Sequence, residues 1–218
     1  MTDLPELLPS LHSLDWDDLP AVQAGCAAAF DALTANRWAL LSGLLVDLPH
    51  HEHLRQMCES YDFVDKLVIH NDPTDRYRVR LHRFRPGYFD RPHNHRWTFG
   101  SMILTGAYRH VQYGTDDGFE DADLKDLTPL QIRTERAGDF YVLHHSAVHS
   151  VAADAGTVSL VLRGPAAKDR FRILDAPTGT ALHVVGAKHE TPAQREAKRM
   201  APERLTDTVR NILTHRPQ

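Results

Sequence analysis

The run Arg76-Tyr-Arg-Val-Arg-Leu-His82, leading on to Arg83 and Phe84, alternates between charged and apolar side chains. Side chains repeat every two residues on a strand and every 3.6 on a helix, so only a β-strand gives this segment one apolar face. Tyr77, Val79 and Leu81 are expected on the buried side. Arg76, Arg78, Arg80 and His82 fall on the other, which reads as a wet basic face. The chain around it has the same character. Lys66–His70 is apolar and β-branched, and Asn71–Asp75 is a turn. Further strands are expected at Ala107–Tyr113, Gln131–Ala137 and Thr157–Pro165. A hairpin joins Phe171–Leu174 to Ala181–Val185 through Asp175–Gly179.

Helical patterns flank this β region. Leu19–Leu33 is Ala-rich with apolar residues three and four apart, and Asp17 or Asp18 is placed to cap it. Trp38–Leu45 and Leu54–Tyr61 read as further helical pieces. After Thr191-Pro192, an N-cap and first-turn pair, the chain turns helical again. Pro202 opens a last helix with the stripe Leu205, Val209, Ile212 and Leu213. The expectation is an all-β core with flanking α-helices in one domain: 1–60 helical, 61–186 β, 187–218 helical. A chain of 218 residues, 42% hydrophobic, suffices for one such core.

Fifteen histidines punctuate the chain. His93 and His95, one residue apart, point the same way on a strand and can grip one metal ion. His149 follows Gly138 in a second glycine-spaced stretch, Gly138–Ala153. Imidazole is a borderline ligand that suits Fe, Cu, Zn and Ni, and three of them on one side leave the other side of an ion open. His50, His51 and His53 near a helix start read as a solvated face. His110 reads as a structural histidine beside the first stretch. His144 and His145 are expected on opposite faces, so at most one joins the surroundings of His149.

Gly87-x5-His93-x-His95-x3-Phe99-x6-Gly106 resembles the first motif of the cupin family, with Phe99 where that family has a Glu. Gly138-x10-His149 resembles the second, with His144, Ser146 and Ala153 replacing Pro, Gly and Asn. The resemblance implies a cupin jelly-roll β-barrel. Among three-histidine cupins, residues 60–165 are similar to the cysteine dioxygenase-like thiol dioxygenases. This implies Fe(II) held by His93, His95 and His149, with a thiol substrate and O2 on the open side. Zn, Ni, Mn and Cu are the other ions such imidazoles accept. Phe99 excludes the cysteine–tyrosine thioether of the animal enzymes. Val161 and Arg163 stand where the family has its second-sphere histidine and tyrosine. Lys66 falls nearest to the family's carboxylate-binding arginine. Arg163 on the cavity side needs an anionic partner, either Asp139 or the substrate. Arg163, Arg78, Arg80 and Lys66 are therefore the candidate substrate-binding residues. Trp97, Phe99, Phe140 and Val161 are the candidate cavity lining.

The implied function is a non-haem Fe(II)-dependent dioxygenase acting on a small anionic substrate, a thiol being one candidate. Two rivals stay open: a non-redox metallo-cupin lyase or isomerase, and a non-catalytic small-molecule-binding cupin. A net charge of −4 gives no pull toward nucleic acid, and Lys198, Arg199, Arg204 and Arg210 form no helix-turn-helix pattern. No apolar run reaches membrane-spanning length, and the acidic opening is unlike a signal peptide. Cys26 and Cys58 are too few for a disulfide framework, so a cytoplasmic enzyme is expected. Family likeness also implies a homodimer through terminal helices or a swapped strand.

Overall fold

A computed structural model describes residues 8–86, 91–175 and 180–217. Gly87 of the first motif and positions 176–179 of the expected hairpin turn lie outside them. Among these residues there are eleven strands: β1 (Glu59–Ser60), β2 (Val64–Asn71), β3 (Arg78–Phe84), β4 (Phe99–Thr105), β5 (Ala107–Thr115), β6 (Gln131–Arg136), β7 (Phe140–Leu143), β8 (Ala147–Ala153), β9 (Val158–Arg163), β10 (Arg170–Asp175) and β11 (Thr180–Val185). One sheet has the order β1-β2-β3-β9-β4-β7. A second has β6-β5-β8, and β10-β11 continues it through His93, which bridges His149 of β8 and Ile173 of β10. Every pairing between strands is antiparallel.

The helices are α1 (Pro9–His12), α2 (Leu19–Asp47), α3 (Glu52–Gln56), α4 (Pro192–Lys198) and α5 (Pro202–Thr214). Asp18 caps α2 by accepting the Ala21 N–H. Thr191 and Gln194 form a capping box on α4. Inside α2 the backbone leaves the helix at Asn36, Arg37 and Trp38, whose φ values are 51°, 56° and 62°. Left-handed conformations cost about 1–2 kcal/mol per residue. Burial of the Trp38 indole at 6% exposure offsets part of that cost. The helix expected over Leu54–Tyr61 stops at Gln56, because Glu59 and Ser60 pair with Lys66 and Asp65 as β1. Cys58 is therefore not helical, and its thiol accepts the Val68 N–H. Both cysteines are free and buried.

The first sheet is covered on both sides. Leu67, Tyr77, Val79, Leu81, Leu160 and Leu162 pack against Phe30, Leu33 and Leu41 of α2 and Leu205 and Ile212 of α5. The contact is close enough that a Cβ on Gly100 would lie 2.6 Å from the Cys26 sulfur. The opposite face meets the second sheet. There Val64, Phe84, Phe99, Ile103 and Val161 join Tyr108 and Val151 in a separate apolar cluster. The charged side of β3 thus faces another sheet. That corrects the wet-face reading: alternation fixes which residues share a face, but helices took the apolar one and left the basic one inside.

Candidate metal centre

His93 and His95 lie in the connection before β4 rather than on a regular strand. Two 2.9 Å backbone hydrogen bonds, His93 N–H to His149 O and His149 N–H to His93 O, join the two glycine-spaced stretches. The imidazoles converge as a result. Their ring centres lie 4.7 Å (His93–His95), 4.6 Å (His93–His149) and 5.0 Å (His95–His149) apart. One nitrogen from each falls within 4.8 Å of the others. His95 Nε2 and His149 Nε2 are 2.8 Å apart. Nitrogens bonded at about 2.1 Å to one ion at right angles sit about 3 Å apart, so the residues fit a shared metal. The group contains no carboxylate.

The outward nitrogens are also held. His93 Nδ1 lies 2.8 Å from the Arg91 carbonyl, whose only role is acceptor, so its Nε2 lone pair faces the centre. His149 Nδ1 lies 2.9 Å from His110 Nε2, and His110 Nδ1 lies 3.1 Å from Glu135 Oε1. Arg133 holds that carboxylate at 2.6 Å. If each ring donates outward, this relay leaves His149 Nε2 free to ligate. His110 thus does more than the structural role expected of it, and no spacing in the sequence could pair it with Glu135. Burial, with His93 adding to it, holds His95 and His149 well below the ordinary histidine range. Both are neutral near pH 7, as ligation requires.

Aromatic side chains wall the centre. Phe99 packs edge-on to His95 at 4.6 Å and lies 6.1 Å from His149. Trp97 is 5.1 Å from His95. Phe171 of β10, not anticipated from sequence, lies 6.3 Å from His95. Val161 belongs to the same interior cluster. Phe140 does not. It points to the helix side, edge-on to Phe30 at 5.7 Å, because it alternates with inward Tyr141 and Leu143 on β7.

Beyond Trp97 stands a guanidinium wall. Register places Arg78 beside Arg163, and Arg163 beside Phe99. The Arg80 and Arg163 guanidinium carbons lie 5.8 and 6.0 Å from the Trp97 ring. Asp139 is not the partner of Arg163; its carboxylate accepts the Arg136 N–H instead. Arg163 donates to the Gly164 carbonyl at 2.7 Å and shares the half-exposed Asp75 with Arg78, at 3.8 and 3.7 Å. Its Nε is buried without a partner, and so is that of Arg80, which donates no hydrogen bond among the described residues. Burial, then Arg80 and Arg78, push Arg163 down to about 8; burial, then Arg80, push Arg78 down to about 9. Among the described residues, Arg78, Arg80, Arg163 and Lys66 outnumber the acids beside them, Asp75 and Glu59. Lys66 lies over the Tyr61 ring at 4.7 Å and pairs in register with His82, whose buried Nε2 lacks a partner. Glu59 is the nearby acid. Although burial raises it, Lys66, Arg80 and Lys198 hold it down to about 2, and it is ion-paired to Lys198 at 2.7 Å.

The remaining histidines separate. His50, His51 and His53 join no converging group among the described residues. His144 and His145 sit in the β7–β8 turn with rings 3.9 Å apart, both directed at Asp17 rather than to opposite faces. Among the described residues no helix is long and apolar enough to cross a membrane.

No protein-family profile and no curated protein matches the chain. Solved structures similar to it include KdgF from Halomonas sp. (16% identity, TM-score 0.39, covering 50% of this chain and 86% of that one). An RmlC-like cupin from Shewanella frigidimarina gives 16% identity and TM-score 0.39, with 51% and 86% covered. Salicylate 1,2-dioxygenase from Pseudoaminobacter salicylatoxidans gives 16% and 0.38, with 58% and 33% covered. The likeness to each extends over 50–58% of this chain.

Proposed function

We propose that the chain is a metal-dependent dioxygenase of the three-histidine cupin type, similar to the cysteine dioxygenase-like enzymes, acting on a small anionic substrate. The observation that carries this reading is a cluster of three imidazoles, with no carboxylate among the described residues, near buried arginines of which Arg80 and Arg163 keep an Nε without an acceptor. His93, His95 and His149 would hold Fe(II). Bound iron supplies open positions for a substrate donor and O2, together with a one-electron couple. The protein's part is binding and orientation. Arg80, with Arg163 and Arg78 beside it, pairs the acid group of the substrate. Lys66 adds positive charge on the same face. Trp97, Phe99 and Val161 keep water from the reacting groups, and the Glu135–His110 relay fixes the His149 ring. The Trp97 ring neighbours both the imidazoles and Arg80, 5.1 Å from His95 and 5.8 Å from the Arg80 guanidinium, and we read it as a spacer between the acid and the metal-binding atom of the substrate. This favours an acid longer than cysteine, with a thiol as one metal-binding group.

Oxygen uptake by protein loaded anaerobically with Fe(II) tests the reading, across anionic thiols and other chelating acids of graded length. Uptake that needs substrate, His149 and Arg80 supports it. Tight stoichiometric metal with no uptake for any substrate favours the lyase or isomerase alternative, since the same imidazoles accept Zn, Ni, Mn or Cu.

A further inference from the structure

Asp17, His144 and His145 meet outside the three-histidine centre, from two segments far apart in sequence. We propose that they form a second metal site, for a borderline divalent ion such as Zn(II). The spacing suits three ligands of one ion as well as it suits an ion pair. Asp17 Oδ1 lies 3.5 Å from His144 Nε2 and 3.6 Å from His145 Nε2. Those separations are long for hydrogen bonds. Ligands bonded at about 2.0–2.2 Å to a tetrahedral ion sit about 3.3–3.5 Å apart, close to what is found. One carboxylate oxygen nearly equidistant from two imidazoles, their rings 3.9 Å apart and tilted by 38°, leaves a common centre for an ion, with water as the fourth ligand.

The three residues are held in place before any ion arrives. Asp17 follows Trp16, which is buried and seated on Gly164 so tightly that a Cβ there would lie 2.3 Å from the indole. The histidine turn is fixed by its backbone: His145 N–H donates to Thr98 Oγ1, and His145 O accepts from His95 N–H and Lys168 Nζ. His144 Nδ1 lies 2.7 Å from Ser146 Oγ, a second-sphere partner that turns Nε2 toward Asp17. The Ser146 N–H also approaches that nitrogen at 3.3 Å; with an ion on Nε2, Nδ1 would carry the proton and donate to Ser146 Oγ instead. An ion here ties the start of α2 to the turn whose carbonyl receives the His95 N–H. Asp17 is exposed, so the ion exchanges with solvent and acts as a removable clamp.

The site does not depend on the activity proposed above, and metal counting separates the two. Metal-free full-length protein titrated with Zn(II) in a calorimeter should bind two equivalents. His149→Ala should keep one, and Asp17→Asn or His145→Ala should also keep one. Zn(II) should raise the melting temperature of His149→Ala but not of His149→Ala/His145→Ala. Two equivalents retained in Asp17→Asn and His145→Ala would overturn the proposal, as would a single wild-type equivalent that is kept in His145→Ala and lost in His149→Ala. Asp17→Asn changes an exposed side chain and controls for any folding defect of His145→Ala.

Discussion

The two faces of the first sheet carry different kinds of burial. Toward the helices, Leu67, Tyr77, Val79, Leu81, Leu160 and Leu162 are fully buried among apolar neighbours. Toward the second sheet, Arg78, Arg80, His82 and Arg163 are covered with their hydrogen bonds only partly satisfied. Burying an unmatched donor opposes folding, whereas burying a leucine favours it by about 1.5–3 kcal/mol. The outer face therefore favours folding throughout, while the inner face mixes an apolar cluster with buried polar groups that oppose it.

Several substitutions would break or sharpen that contrast. The largest effect is expected outside: Leu81→Ala or Leu160→Ala should lower unfolding free energy by about 2–5 kcal/mol in urea titrations, with metal affinity of the folded protein unchanged. On the inside, His110→Ala should weaken metal binding at the three-histidine centre by about 10–100-fold, as loss of an outer-sphere partner does; an unchanged affinity would remove the relay from the account. Next comes His82. Burial, then Lys66 and Arg80, hold it well below the ordinary histidine range in the folded state. As pH falls below about 6.5 the unfolded chain takes up a proton that folded His82 refuses, so stability declines toward acid. The wild type should lose up to about 1.4 kcal/mol per pH unit more than His82→Leu below pH 6.5, read from melts at several pH values. The smallest stability change belongs to Arg80→Met: within about 1 kcal/mol, and of either sign, because the guanidinium leaves no bonded partner behind. Binding of the anionic substrate should nevertheless fall, measured by calorimetry on metal-loaded protein.

Much of this could be read from the chain. Alternation in Arg76–His82 gave the faces of β3, and the glycine–histidine spacings put His93, His95 and His149 on one list before any contact was known. What alternation cannot tell is which side a second layer will cover; polarity suggested water for Arg80 and His82, and a sheet lies there instead. Phe140 was misplaced because the parity of β7 is set by its pairing with β4, where Tyr141 opposes Ser101. The Glu135–His110–His149 chain joins β6, β5 and β8, and no local pattern carries such a register. His144 and His145 looked opposed only if the strand continued, and it ends at Leu143. The resemblance to three-histidine cupins implied a shared site for the three histidines that converge here, while Phe99 and Arg163 depart from that family's pattern.

The central claim is that the inner face holds a metal at His93, His95 and His149. The most direct measurement is anaerobic Fe(II) binding in a His145→Ala background, where only this centre is read. One equivalent should bind tightly, and adding His149→Ala should weaken binding by more than the roughly 10–100-fold of an outer-sphere change while the protein stays folded. Equal affinity with and without His149 would contradict the account.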